Sequence, residues 1–403
     1  MKLLPCAPSL PPTLTLALLV IASTIQAGAA TALDESGSVI RASMSGAVKT
    51  DLGRGGVVKA WGGNDSGQST VPPGLTNVVE IAVAVGGSTS LALTSEGKVV
   101  AWGANDEGQT AVPASLRDVV AIAASEYHSL ALKADGTVVA WGSDYQGVTN
   151  VPSGLREVIA LAAGDQHAIA LRRDGTVVTW GDLSWTTELK GSLSEVVAIA
   201  GGYTHSVALK SDGTVVVWRY VGGFETLPAR DVVAIAAGGS DCTFTLSADG
   251  KVSVWGDECG AEAGLPADLS RVVSVSPGVD FGVALKDDGT VTTWGDPALP
   301  VTHAPTSLTN IVSLATGLYH ALVLADRQPS NWTIRTEDFR LTSSGVKVSV
   351  QTRRNRVYRL EHTASLGGNN WAARPLVAGT GGQVEFSDPH PIAGHRFYRV
   401  RSW

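Results

Sequence analysis

Apolar and polar positions alternate along most of the chain in short bursts that recur at a fixed spacing. One burst is Val119-Val120-Ala121-Ile122-Ala123-Ala124, a run of small and β-branched residues. The next, Ser129-Leu130-Ala131-Leu132-Lys133, alternates with period two, as a strand with one buried face does. A third, Thr137 to Trp141, comes after Asp135-Gly136. Asp-Gly between two apolar runs signals a hairpin, because glycine accepts a positive φ. These bursts predict strands A, B and C, with a shorter strand D after the glycine-containing loop. Val151-Pro152-Ser153-Gly154-Leu155 then leads to the next unit, its proline unsuited to a ladder.

The unit repeats seven times. Trp61, Trp102, Trp141, Trp180, Trp218, Trp255 and Trp294 lie 41, 39, 39, 38, 37 and 39 residues apart, and all but Trp218, which precedes Arg219, are followed by glycine. Four antiparallel strands per unit make a propeller blade. The Ala-rich strand A suits the crowded axis and the Trp of strand C the wider outer gap. The series opens with a lone strand C (Gly56 to Trp61) and closes with a lone A and B pair (Ile311 to Leu324). Joined, these halves complete a seventh blade and leave no open edge. The expected fold class is all-β: a seven-bladed propeller over 56–326, then a small β-sandwich over 331–403. Within the latter, strand-like runs include Val346 to Val350 and Phe397 to Arg401.

Such runs as Val99-Val100-Ala101-Trp102-Gly103 and Ile122 through His128 to Leu132 resemble regulator-of-chromosome-condensation repeats. The closest flavour is that of secreted bacterial members, among them a propeller that inhibits β-lactamases. The resemblance implies a binding scaffold. The aromatic slot that the inhibitor carries before the repeat histidine holds Tyr127 and Tyr319 here. In the other blades it holds Ser88, Gln166, Thr204, Asp241 and Asp280, a thin match to that partner.

Composition then sets the surroundings. Lys2 is the only charge before Asp34, an apolar run spans Leu14 to Ala22, and small residues come next at Ala27 to Ala30. This is the pattern of a signal peptide over 1–29, followed by a lead-in over 30–55. The expectation is a secreted, periplasmic or cell-surface protein, a monomer, with no membrane segment after cleavage. Formal net charge is −7, which argues against nucleic acid. Residues 331–403 hold eleven basic and five acidic residues, a net +6, so the rest of the chain stands at −13. Arg353, Arg354 and Arg356 read either as a solvated hairpin loop or as a contact to the acidic propeller or to an anionic surface polymer.

No nucleophile elbow, zinc-protease motif or phosphate-binding loop occurs, so no enzymatic activity, cofactor or metal is expected. His128, His167, His205 and His320 share one slot of the repeat. Held apart by the ring, they suit capping of the A–B turn backbone rather than ligation of one ion. Aromatic residues outside the repeat Trp positions concentrate between strands A and B or after C, segments that open on one face of the disc. Tyr127, Tyr145, Trp185, Tyr203, Tyr220, Phe224, Phe281 and Tyr319 are the candidate binding residues. Their ligand is an unknown protein partner or, alternatively, a surface glycan. Cys242 and Cys259, the two cysteines left after leader removal, are expected to form a disulfide. Strand B starts at Cys242 and strand C returns past it, which brings Cys259 within reach.

Overall fold

The computed structural model describes residues 55–182, 193–219, 223–239, 241–256, 259–262, 264–325, 339–342, 345–352, 356–363, 371–388 and 396–402, with the short strands Leu18–Val20, Ala32–Leu33 and Val39–Ile40. The rest of the expected leader, and its cleavage site, lie outside the described residues, as do Trp185, Tyr220, Arg353 and Arg354.

Strands A, B and C form antiparallel sheets in all seven blades. Blade 1 is Val78–Val83, Thr89–Thr94 and Val99–Gly103; blade 2 is Val119–Ala124, His128–Lys133 and Val138–Gly142. Blade 3 is Val158–Ala163, His167–Arg172 and Val177–Gly181. Blade 4 is Val196–Gly201, His205–Lys210 and Val215–Arg219; blade 5 is Val232–Ala237, Thr243–Ser247 and Val252–Trp255. Blade 6 is Val272–Pro277, Phe281–Lys286 and Val291–Gly295. Each strand A neighbours the strand A of the next blade all the way round, including blade 7 against blade 1.

Blade 7 closes the ring as its half-units require. Ile311–Thr316 and His320–Ala325 supply A and B, and Val57–Gly62 from the start of the propeller supplies C, with Ala321 opposite Trp61 and Ala325 opposite Val57.

The expected fourth strand is a correction. Among the described residues only blade 4 has one, Gly223–Thr226 paired with strand C. Elsewhere side chains take up the backbone donors. In the connection after blade 7, Asn64 Oδ1 accepts from Ser69 N (2.9 Å) and Gln68 Oε1 from Ser66 N (2.9 Å). Asn105 and Gln109 repeat the arrangement after blade 1. These local bonds compete with a ladder, and the prolines beyond them cannot donate to one.

The Trp-Gly pair has two separate duties. The indole N–H reaches back to a carbonyl in the connection leaving the preceding blade: Trp102 to Gln68 (2.8 Å), Trp141 to Gln109 (2.9 Å), Trp180 to Val148 (2.9 Å), Trp294 to Ala261 (2.8 Å) and Trp61 to Val301 (2.7 Å). The glycine takes a positive φ, +99° at Gly62 and +108° at Gly142, where a Cβ would strike the A–B loop carbonyl of Tyr319 or Tyr127. Cys242 and Cys259 are disulfide-bonded, their Cα atoms 4.7 Å apart. This ties the A–B end of blade 5 to the chain leaving its strand C.

The C-terminal strands make two antiparallel sheets. Phe339–Thr342, Gly345–Gln351 and Gln383–Asp388 form one; Val357–Thr363, Arg396–Ser402, Ala372–Ala373 and Val377–Ala378 form the other, along which Leu18–Val20 also pairs. Val346, Val348, Phe386, Leu360, Tyr358, Tyr398 and Val400 share one core between them. The module sits on the hairpin face of the propeller. Leu376 N donates to Ser211 O (2.8 Å), Arg401 Nη1 to Ala248 O (3.0 Å) and Arg356 Nη2 to Val312 O (3.0 Å). Val357 and Leu376 join the core of blades 4 and 5. Arg356 thus touches the propeller at a backbone carbonyl.

Removal of residues 1–68 should leave His320–Ala325 without its outer partner and strip the indole of Trp102 of its acceptor. The expected result is a lower melting temperature and self-association, measured by calorimetry and size-exclusion chromatography. An unchanged monomer would contradict this closure.

Candidate functional site

The A–B loops and the chain leaving each strand C are stitched together on one face. Gly63 N donates to Tyr319 O (2.8 Å), Ala104 N to Ser88 O (2.9 Å), Ser143 N to Tyr127 O (2.9 Å) and Asp182 N to Gln166 O (3.0 Å). The B–C hairpins lie at the other end of every blade.

Beneath the loop face the histidines do something the repeat pattern does not disclose. The pattern suggests that each caps its own turn, but three reach the next blade instead. His167 Nε2 bonds Ser206 Oγ (2.6 Å), His205 Nε2 bonds Thr243 Oγ1 (2.9 Å) and His320 Nε2 bonds Ser90 Oγ (3.0 Å). Ser90 Oγ also donates to Gln68 O (3.0 Å), so it accepts from a protonated Nε2 of His320. Three residues before these histidines stand Gly164, Gly202 and Gly317, where a Cβ would collide with the imidazole. Blade 2 departs twice. Ser125 replaces the glycine and bonds His128 Nδ1 (2.6 Å), and the facing position in blade 3 is Ala168, so His128 Nε2 is buried without a partner. Where the slot holds Cys242 or Phe281, the next blade presents Gly282 or Ala321. Burial pushes His128 and His167 down to about 3 and His205 and His320 to about 4.

Phe281 is therefore a correction. It fills the histidine slot, is 0% exposed, and its ring packs where a Cβ on Gly278 would lie. Its short distance from the loop tip in sequence conceals that it points inward. Tyr145 (59%), Tyr319 (41%), Phe224 (38%) and Tyr203 (36%) are exposed on the loop face, and Tyr127 is half-buried there. Phe224 leans on Trp218, ring centroids 6.4 Å apart. Beside it Arg219, in place of the usual glycine, bonds both oxygens of Asp241 (2.7 Å each) and reaches Glu225 (2.7 Å).

At the axis the loops of several blades converge. The Tyr203 ring of blade 4 lies against Gly86 of blade 1. Asp165 is buried, with Gln166 Nε2 on Oδ2 (3.1 Å) and no partner for Oδ1. Burial, reinforced by the Glu126 carboxylate, lifts Asp165 to about 6. Burial and a hydrogen bond to Glu126 raise Tyr127 to about 12, and the Asp165 charge raises Tyr203. Asp165 and Glu126 are functional candidates missed by sequence reasoning. The available signal was that the seven A–B loops contain four acidic residues and no lysine or arginine.

On the rim of blade 5, Trp255 is half-buried and donates to Thr245 Oγ1 (2.9 Å) instead of to the preceding blade. It borders a cleft of about 440 Å³ that Arg230 and Lys251 also line. The signal was Thr245, since the corresponding position is alanine in five other blades and valine in blade 7.

Residues 81–109, 119–148 and 158–182 match the family model described as regulator of chromosome condensation (RCC1) repeat. No curated protein matches the chain as a relative in sequence. Among solved structures, the chain is similar to one in the crystal structure of Kap60 bound to yeast RCC1 (Prp20), with a TM-score of 0.57 and 19% identity over 73% of this chain and 97% of the other. Prp20p from Saccharomyces cerevisiae gives 0.56 and 21% over 69% and 93%, and human WBSCR16 gives 0.52 and 18% over 67% and 98%. At these identities the likeness establishes the propeller fold.

The histidine slot can be tested by substitution and by pH. Ala168→Ser should give His128 Nε2 its missing partner and add about 1 kcal/mol of stability in urea unfolding. No gain, with the fold unchanged, would contradict the pairing rule. The pH dependence has a definite sign. A histidine depressed in the fold is protonated first in the unfolded chain, so stability present above about 6.5 drains as pH falls toward 4, by roughly 2 kcal/mol per histidine at pH 5. Asp165 is raised and acts oppositely: its contribution is present below about 4 and lost as pH rises through about 6. With four histidines against one aspartate, the melting temperature should fall steeply between pH 6.5 and 5.

Proposed function

We propose that this chain, an RCC1-repeat propeller, is an exported, non-enzymatic scaffold that binds a protein across its loop face. The carrying observation is the sidedness of its exposed apolar residues. Of the five large hydrophobic residues exposed among the described ones, four sit on the loop face: Tyr145, Tyr203, Phe224 and Tyr319. Exposed aromatics of this kind supply binding hot spots. The C-terminal module lies on the opposite face, over hairpins of blades 4 and 5, and so leaves the loops open. Yeast relatives of this fold are described bound to Kap60 and by binding to Gsp1p and histones, which favours protein as the class of ligand.

Export rests on the leader-like N-terminus. Its removal near Ala27 to Ala30 would take Leu18–Val20 from the edge of Arg396–Ser402, and N-terminal sequencing of protein from the culture medium or periplasm tests it. A second reading, glycan binding, is favoured by the cleft beside Trp255, whose half-buried indole and polar lining suit stacking on a sugar.

The face is tested by capture from the source's own secreted fraction. Tyr145→Ala and Tyr319→Ala should each weaken the captured partner by about 2 kcal/mol, roughly thirtyfold. Glu96→Ala and Lys98→Ala, on the hairpin face, should not. The reverse pattern would assign binding to the wrong side.

A further inference from the structure

We infer that the axial mouth of the loop face, where Glu126, Tyr127, Asp165 and Tyr203 meet, is a receptor for one cationic side chain, arginine or lysine, of a protein partner. This rests on the loop face being the binding face, and adds the chemistry by which it chooses.

The charge balance of the mouth supports the assignment. Asp165 is only 6% exposed, yet one carboxylate oxygen has no hydrogen-bond partner. An unpaired buried acceptor is costly and scarce in folded proteins. Glu126 comes from the A–B loop of the neighbouring blade, and its charge acts on Asp165. No ion pair involves either carboxylate among the described residues. Asp241, by contrast, is held by Arg219. The A–B loops contribute no basic residue, so the fold brings two carboxylates together without a cation of its own.

The aromatic groups complete the receptor. Tyr127 follows Glu126 in the A–B loop of blade 2, and Asp165 and Tyr203 come from the A–B loops of blades 3 and 4. Tyr203 is exposed and lies across the mouth onto Gly86. A cation beside tyrosine rings gains from their negative faces, and its N–H groups satisfy carboxylates through charge-assisted bonds. A neutral ligand would leave the two carboxylates repelling each other, and an anion would add a third negative charge. The absence of basic residues from the surrounding loops favours a partner with an exposed arginine or lysine at the centre of its contact surface.

The test uses the full chain and three small probes: N-acetyl-arginine amide, N-acetyl-lysine amide and the neutral isostere N-acetyl-citrulline amide. Binding is followed by saturation-transfer NMR and by tyrosine ring shifts. The cationic probes should bind at least tenfold more tightly than citrulline, and Glu126→Gln or Asp165→Asn should each remove most of that preference. Citrulline binding as well as arginine to the wild type overturns the inference without reliance on any variant. So does full retention of the preference in the doubly substituted, folded protein. The capture experiment separates this inference from the reading it rests on. If the partner is lost with Tyr319→Ala but kept with Glu126→Gln/Asp165→Asn, the face is right and the cation receptor wrong. If neither set matters, the face itself is wrong, and the probe titrations still decide what the mouth binds.

Discussion

A buried carbonyl in each blade connection must find a donor, and in five of the seven blades the indole of the following blade provides it. Everything else in the ring is arranged around that bond. It explains why the tryptophans recur at near-constant spacing, since each must meet a carbonyl 32 to 34 residues earlier in the chain, as for Trp141 and Trp102, or across the closure for Trp61. It also explains the small residues opposite them: Trp102 pairs with Ser90 and Trp180 with Ala168, so the indole has room to lie flat in the gap. An unmet buried polar group costs about 1–3 kcal/mol, more than the net worth of a typical hydrogen bond; at Gln68 and Gln109 the carbonyl is shared with Ser90 Oγ and Ser129 Oγ. At blades 4 and 5 the bond is not made: Trp218 Nε1 is buried without a partner among the described residues, and Trp255 turns elsewhere. Blade 4 uses its outgoing segment for strand Gly223–Thr226, and Trp255 turns to Thr245 and opens toward solvent.

The two ends of the blades have diverged in physical character. The hairpin ends are closed by short local bonds, such as Thr137 N to Asp135 Oδ1 (3.0 Å), and are partly covered by a basic module. The loop ends are tied by backbone bonds such as Ser143 N to Tyr127 O (2.9 Å), joined by inward-facing side chains such as Gln109, whose Nε2 donates to Glu126 O (3.0 Å), and not by the outward-pointing ones. This frees the side chains of Tyr145, Tyr319 and Glu126 to vary from blade to blade without loss of the fold. A rigid frame with variable, outward-pointing residues is how propellers and other scaffolds support recognition.

Features produced by repetition are legible in the sequence. The Trp period, the Asp-Gly hairpins, the strand limits Val119–Ala124 and the completion of the last blade by Val57–Gly62 are all readable from residue order alone. So is the Cys242–Cys259 bond, because strand register places the two residues near each other. The features that escape lie between repeats. The fourth strand is displaced by Asn and Gln side chains that satisfy the same backbone groups. Phe281 lies beside the loop tip in sequence but occupies the histidine slot in space. The histidine bonds are hidden because His167 and Ser206 are 39 residues apart, and a period of one blade is invisible to a reading that treats each blade alone. The acidic mouth is hidden for the same reason: Glu126, Asp165 and Tyr203 belong to three consecutive blades and come together only when those blades pack side by side.

The histidine bonds all run in one direction, from each blade to its successor, and the residue at the donor end fits only certain residues at the receiving end. His167, His205 and His320 meet serine or threonine of the next blade, His128 faces Ala168, and the blades after Cys242 and Phe281 carry the smaller Gly282 and Ala321 at that position. The seven blades are therefore not interchangeable copies: three joints carry a specific histidine bond, and the residues facing the slot differ at the others. Shuffling two blades would set an imidazole against the wrong wall, whereas cutting the chain elsewhere and rejoining its ends would preserve every joint. The order of blades is thus stored in the interfaces, independently of where the polypeptide happens to begin.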